Sequence, residues 1–144
     1  MTELWSGIAE EFLHLYRTAG RLIAVAGADA ERSRLAADAL AEALRARDVE
    51  VDHHHTVDGD ESALREGVIA GFRTDPTRDR VLIVSGPGAL LSQSARGLWN
   101  FTVWQLAGDE PPHTAASALV DLSDADAPAR RFADYCALPT SYGA

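Results

Sequence analysis

Short aliphatic runs alternate along this chain with segments whose apolar residues recur every three or four positions. Buried parallel strands read as nearly continuous apolar runs, whereas an amphipathic helix repeats its apolar face at the longer spacing. The expected strands are 21–27, 49–55, 80–86, 101–106 and 117–122. Strands joined by helices imply right-handed crossovers and a sheet covered on both faces. The predicted fold class is therefore α/β, with a mostly parallel five-stranded sheet in a three-layer sandwich.

The segments between these runs predict helices. Before the first strand, apolar residues led by Trp5 and Phe12 form one broad face, which either packs on the sheet or meets a second copy of the chain. The alanine-rich stripe at 36–44 is typical of a helix, because alanine is the best helix former. Weaker helical patterns cover 60–73, where Leu64, Val68 and Phe72 follow helical steps, a turn at 89–98, and part of 129–144.

Size and charge exclude several classes of function. The 144 residues suit one domain, 1–144, and the net charge of −9 argues against a nucleic-acid surface. No apolar run is long enough for a membrane span, so no membrane partner is expected. The acidic N-terminus does not resemble a signal peptide, and the single Cys136 cannot form an internal disulfide, so a cytoplasmic location is expected.

The turn after the first strand occupies the place of a phosphate loop. Such a loop, G-x-x-x-x-G-K-[ST], needs glycines that expose backbone amides, a lysine for the outer phosphates and a hydroxyl for Mg²⁺. Aligned without a gap, Gly27 fills the first position, while Arg32, Ser33 and Arg34 replace the second glycine, the lysine and the hydroxyl residue. A register shortened by one residue places Glu31, Arg32 and Ser33 there instead. All 13 basic residues are arginine, and neither register keeps the second glycine, so tight triphosphate binding is not expected.

Several segments resemble one family in order along most of the chain. They are "HLYRTAGRLIAVAGADA", "LAADALAEALRARDVEV", "RVLIVSGPGALLSQSARGLWNFTVWQL" and "SALVDLSDADAPARR". Together they look like the uridine kinase family of P-loop phosphotransferases, particularly its bacterial uridine-kinase-like members, although no single segment is a strict signature. The resemblance implies a P-loop NTPase-like sandwich. It also implies, for an active member, ATP and Mg²⁺ as cofactors and a nucleoside or another small molecule as the phosphoryl acceptor.

The chain departs from that family where the family carries its chemistry. The Asp that supports Mg²⁺ after the third strand is Ser85 here, and the Asp of Gly-Leu-Trp-Asp is Asn100. The acidic residue that activates the substrate hydroxyl has a loose match in Asp58 or Asp60, and there is no room for the arginine-bearing lid. Phosphoryl transfer depends on positioning and on neutralising the developing charge. These losses together would remove most of that catalysis.

The resemblance thus implies a degenerate, truncated member that lacks kinase activity and acts as a binding or regulatory module, with a homo-oligomer among the possible partners. A residual site for a nucleotide or a phosphate-bearing small molecule would use Gly27, Arg32, Ser33, Arg34 and Ser85. The alternative is an active phosphotransferase or nucleotide-binding enzyme, in which Arg32 or Arg34 replaces the lysine and Asp58 or Asp60 serves as the base.

Two further patterns lie at the ends of strands. In 53–55 three histidines are adjacent, and alternation on a strand prevents all three from converging, so a polar strand end is favoured over a weak divalent-metal site at His53 and His55. Ser85 follows a strand as in a nucleophile elbow, but the flanking glycines of G-x-S-x-G are missing, and His113 would complete a triad only by accident.

Overall fold

A computed structural model describes residues 2–16, 20–27, 29–74, 80–92, 94–106, 116–122 and 129–131. The helices are α1 (Thr2–Leu15), α2 (Ala30–Arg45) and α3, which begins as Glu61–Leu64, continues as a π-helical segment Arg65–Ile69 and ends as Ala70–Phe72. The strands are β1 (Gly20–Gly27), β2 (Glu50–His55), β3 (Arg80–Pro87), β4 (Phe101–Leu106), β5 (Ala118–Asp121) and β6 (Ala129–Arg131). Two short 3₁₀ helices, Gly88–Leu91 and Arg96–Leu98, lie between β3 and β4.

The strands form one sheet in the order β2-β3-β1-β4-β5-β6, in which all neighbours are parallel except β5 and β6. The five predicted strands are confirmed, and the predicted number of strands is corrected from five to six. Residues 129–131 fell in a segment for which a helical turn was expected. They pair antiparallel with β5, and Arg130 forms an ion pair of 2.7 Å with Glu11 of α1. The rest of that segment, including Cys136, lies outside the described residues.

Alternate residues of the strands face two different helical layers, which confirms the expectation of a sheet covered on both sides. On β1, Ile23 and Val25 join the core cluster beneath α1 and α2. Leu22, Ala24 and Ala26 join a second cluster with α3 and the two 3₁₀ helices. The structure is therefore an α/β sandwich of three layers.

The apolar face of α1 packs inside the first of these clusters. Trp5 is 4 % exposed and Phe12 is 0 % exposed. The ring of Phe12 meets Phe101 of β4 edge to face, with 5.7 Å between the ring centroids, and lies 5.6 Å from the ring of Tyr16. The apolar face of α1 therefore packs on the sheet, which was one of the two alternatives predicted for it.

Helix α3 differs from the predicted pattern in one residue. Leu64 and Phe72 are buried as expected, but Ile69 is buried in the place expected for Val68, which is only partly buried. The cause is the π-helical segment, in which residues five apart lie on the same side of the helix. Leu64 and Ile69 have that spacing, so the extra residue moves the buried position by one.

Candidate functional site

The carboxyl ends of the parallel strands meet at one edge of the sheet, where α/β proteins of this kind usually bind ligands. Gly27 ends β1, His55 ends β2 and Ser85 lies two residues before the end of β3. Gln105 of β4 pairs with Gly27 in the sheet. Strand β1, with β3 on one side and β4 on the other, places the start of α2 above the middle of this edge.

The turn from β1 to α2 is short and closed. Helix α2 begins at Ala30, so only residues 28 and 29 separate it from the end of β1. Asp29 caps the helix, and its Oδ1 accepts hydrogen bonds from the backbone amides of Glu31 (3.0 Å) and Arg32 (3.3 Å). These are amides of the kind that bind phosphate when a helix N-terminus is open. Here they already hold a carboxylate of the same chain.

Gln105 fixes this turn from beneath, and the sequence analysis did not identify it. Its side chain is 0 % exposed, and Nε2 donates to the carbonyl oxygen of Asp29 (2.8 Å) and to Ser33 Oγ (3.3 Å). Ser33, also 0 % exposed, donates its own hydroxyl to the Asp29 carbonyl (3.3 Å). The Ser33 hydroxyl, at a position aligned with the phosphate loop, is therefore buried and hydrogen-bonded within the turn itself.

The two arginines of the first turn of α2 have partners within the protein. Arg32 Nη1 donates to the carbonyl oxygen of Leu122 at 2.5 Å, and its Nε lies 3.5 Å from Asp29 Oδ2. Arg34 forms an ion pair with Glu31 and lies 3.4 Å from a carboxylate oxygen of Asp38. The hydrogen bond between Arg34 and Glu31 lowers the pKa of the Glu31 carboxyl and raises the pKa of the guanidinium.

Ser85 lies between His53 and His55. Because β2 and β3 are parallel with His55 opposite Ser85, both rings lie on the face of the sheet that α2 covers, and the exposed His54 lies on the other face. Ser85 Oγ is 2.7 Å from His53 Nε2 and 2.8 Å from His55 Nδ1. His53 Nδ1 in turn lies 2.9 Å from Asp38 Oδ1. Burial lowers the pKa of His53, against the opposing effect of the hydrogen bond to Asp38.

The Asp38–His53–Ser85 part of this chain has hydrogen bonds in the order of a hydrolytic triad. Ser85 is 0 % exposed, however, and sits within a strand beneath α2, so its oxygen is closed to a substrate. We therefore interpret the four side chains as a polar network, which runs from the buried Ser85 through the half-buried histidines to the exposed Asp38. His113 lies outside the described residues. Among the residues that are described, no three His, Cys, Asp or Glu side chains are grouped in a way that could hold a metal ion.

The two candidate bases lie in the turn from β2 to α3. Asp58 Oδ1 accepts from the amide of Asp60 and from the hydroxyl of Thr56, each at 3.1 Å, and these bonds lower the pKa of Asp58. Asp60 caps α3 by accepting from the amide of Ala63 at 3.2 Å. Both carboxylates thus stabilise local structure. Among the described residues, no hydrogen bond or ion pair joins either of them to Arg32 or Arg34.

No family model, curated protein or solved structure matches the chain. The class that the fold and the site define is an α/β protein with a six-stranded, mostly parallel sheet. Within the described part of the chain, no helix is both long and apolar enough to cross a membrane.

Proposed function

We propose that this chain is a degenerate uridine-kinase-like domain on a P-loop NTPase-like sandwich, which does not transfer phosphoryl groups and acts as a binding or regulatory module. The observation that carries the proposal is the occupied N-terminus of α2. Asp29 takes the amides of Glu31 and Arg32, at the position where the resemblance requires amides open to phosphate. A triphosphate would have to displace that carboxylate before it could bind.

The charges around this turn support the same proposal. Three carboxylates, on Asp29, Glu31 and Asp38, surround two guanidinium groups, on Arg32 and Arg34, so the group as a whole is negative. Both arginines are more than a third exposed, and exposed ion pairs of this kind contribute little stability. The carboxylates nevertheless neutralise the positive charge of the two guanidinium groups, which would otherwise attract an anion. Catalysis of phosphoryl transfer rests largely on such charge, and here it is cancelled locally.

The decisive experiment is calorimetry with ATP and Mg²⁺ on the wild type and on two variants. We expect no binding tighter than about 100 μM for the wild type, which corresponds to a binding free energy weaker than about −5.5 kcal/mol. Asp29→Asn keeps a good helix cap while it removes the charge, so it separates repulsion by the carboxylate from blockage of the amides. Arg32→Ala reports whether any binding that is seen uses the arginine that could replace the lysine.

Two results would overturn this proposal in favour of the active phosphotransferase. One is wild-type binding tighter than that limit and weakened by Arg32→Ala. The other is transfer of a phosphoryl group to a nucleoside that Asp58→Asn or Asp60→Asn abolishes. Self-association, the partner class expected from sequence, is measured separately by light scattering over a range of protein concentrations.

A further inference from the structure

The strongest remaining feature is the line of hydrogen bonds Asp38–His53–Ser85–His55, which joins three elements of the fold. Asp38 belongs to α2, the histidines to β2 and Ser85 to β3. Its three links measure 2.9, 2.7 and 2.8 Å. We refer to these four side chains as the relay. It ties the outer layer to the sheet at the carboxyl ends of β2 and β3.

The chemistry of a hydroxyl limits how many protons the relay can hold. Ser85 carries one hydrogen and two lone pairs, and a neutral imidazole has one N–H and one lone pair. With His53 Nδ1–H donating to Asp38, His53 Nε2 accepts the hydrogen of Ser85, which accepts in turn from His55 Nδ1–H. Each of the three links then has one donor and one acceptor, with a single direction of donation from His55 to Asp38.

One added proton can be accommodated by reversing part of that line. A protonated His53 donates from both nitrogens, to Asp38 and to Ser85, and the Ser85 hydrogen turns to His55 Nδ1, which then bears the lone pair. A second proton cannot be accommodated. Both rings would then donate to Ser85, a residue that is 0 % exposed, and its own hydrogen would lose its acceptor between two imidazolium cations.

The surrounding charges act on both histidines. From α2, Asp38 favours a proton on His53 and Arg34 opposes it, while within β2 the charge of His55 opposes it as well. Glu31, also on α2, interacts with His55. Asp38, the carboxylate hydrogen-bonded to His53, carries one negative charge and so balances one imidazolium.

We propose that the relay is a proton-operated latch, which holds the end of β2 against β3 while at most one imidazole is protonated and releases it when both are. Acidification would thereby loosen β2, the strand at the edge of the sheet. This regulation goes beyond the proposed function, and it is tested without any nucleotide.

The first test needs no variant. Nitrogen-15 NMR of the histidine rings, followed from about pH 8 to about pH 5 in buffer with EDTA, reports the tautomer and protonation of each ring. We expect Nδ1–H tautomers for both His53 and His55 at the upper end, and two coupled protonation steps as the pH falls. An Nε2–H tautomer at His53 in the neutral protein, or two independent titrations, would refute the relay.

The second test measures the release of β2 by amide hydrogen exchange, corrected for intrinsic rates. We expect exchange in β2 of the wild type to rise by roughly tenfold or more on acidification, the effect of one pKa unit of differential proton binding. His55→Asn keeps a nitrogen near the position of Nδ1 but cannot take the second proton, so the acid-induced rise should vanish. The matched control is His54→Asn on the exposed opposite face, which should behave as the wild type does. An unchanged rise in His55→Asn, or no rise in the wild type, contradicts the latch.

Discussion

Replacing Gly27 by alanine tests the closed turn most directly. An added Cβ would lie 2.2 Å from Gln105 Nε2, and 2.6 Å from both the Cδ atom and the backbone oxygen of Gln105. All three separations are below 3.0 Å, so some atom must move. Gly27 and Gln105 are partners in the β1–β4 ladder, and a side-chain rotation therefore cannot relieve the contact with the backbone oxygen. Either the strands separate locally or the amide of Gln105 is displaced.

The expected cost follows from these contacts. Forcing extra volume into a packed interior costs about 1–3 kcal/mol, and leaving a buried polar group without its partners costs about 1–3 kcal/mol more. Gln105 Nε2 would lose its bonds to the Asp29 carbonyl and to Ser33 Oγ. We therefore expect Gly27→Ala to lower the free energy of unfolding by roughly 2–6 kcal/mol. Domains of this size have only about 5–15 kcal/mol in total, so the effect is large.

The assay is urea unfolding followed by circular dichroism, with Gly7→Ala as the matched control. Gly7 is an exposed residue within α1, and no described atom lies within 4 Å of a Cβ built there. Its replacement should stabilise the protein by about 0.5–1 kcal/mol, since glycine disfavours a helix interior. The double variant Gly27→Ala/Gln105→Ala should recover only part of the loss, because the backbone contact stays. A Gly27→Ala free energy within about 0.5 kcal/mol of wild type would refute the reasoning.

Two further substitutions test contacts that hold the sheet and its second helical layer. Asn100 Oδ1 accepts a hydrogen bond from the backbone amide of Leu22 at 2.9 Å. In thermal unfolding, Asn100→Ala should lower the free energy of unfolding by about 1–3 kcal/mol. Asn100→Asp keeps the acceptor oxygen and should change it little. Equal losses for the two variants would contradict this role. Trp99 Nε1 donates to the carbonyl oxygen of Leu90 at 2.9 Å in the core. We expect Trp99→Phe to lower the free energy of unfolding, measured with urea, by about 1–3 kcal/mol. A change near zero would show that this hydrogen bond is dispensable.

The sequence predicted the fold where the signal is local and repeated. Apolar runs located β1, β3, β4 and β5, because a strand covered on both faces needs apolar residues at consecutive positions. The segment predicted for β2, 49–55, has only two apolar residues, Val49 and Val51. The prediction failed at β6, whose three residues include Arg130 and Arg131 and carry no apolar pattern. That strand exists through its pairing with β5, and such a pairing is not encoded within the three residues. The register of α3 was missed for a related reason, since a π-helical segment changes the period on which the prediction relied.

At the candidate site, the sequence located the correct edge of the sheet but not the contacts there. Gly27 was singled out as the first glycine of a phosphate loop. In the fold, Gln105 lies so close to Gly27 that no side chain fits there. Gln105 belongs to β4 and is 78 positions further along the chain. Similarly, Arg32 and Ser33 were identified as residues that could contact phosphate, whereas their observed partners are Leu122, Asp29 and Gln105. Leu122 and Gln105 come from elements far away in sequence, so no local pattern could reveal them.

The closed turn and the relay are two consequences of one feature, the short connection between β1 and α2. With two residues between strand and helix, α2 begins directly above the sheet, and its ninth residue, Asp38, reaches His53 at 2.9 Å. Strand alternation predicted that the three histidines do not converge, and His54 does lie on the other face from His53 and His55. It could not supply their partners, because Ser85 depends on the β2–β3 register and Asp38 on the position of the helix. A longer loop that wrapped around a phosphate would change the position of α2 over β2 and β3. The geometry that supports the relay is therefore difficult to reconcile with an open phosphate site, and an experiment that found both in one state of the protein would require α2 to move.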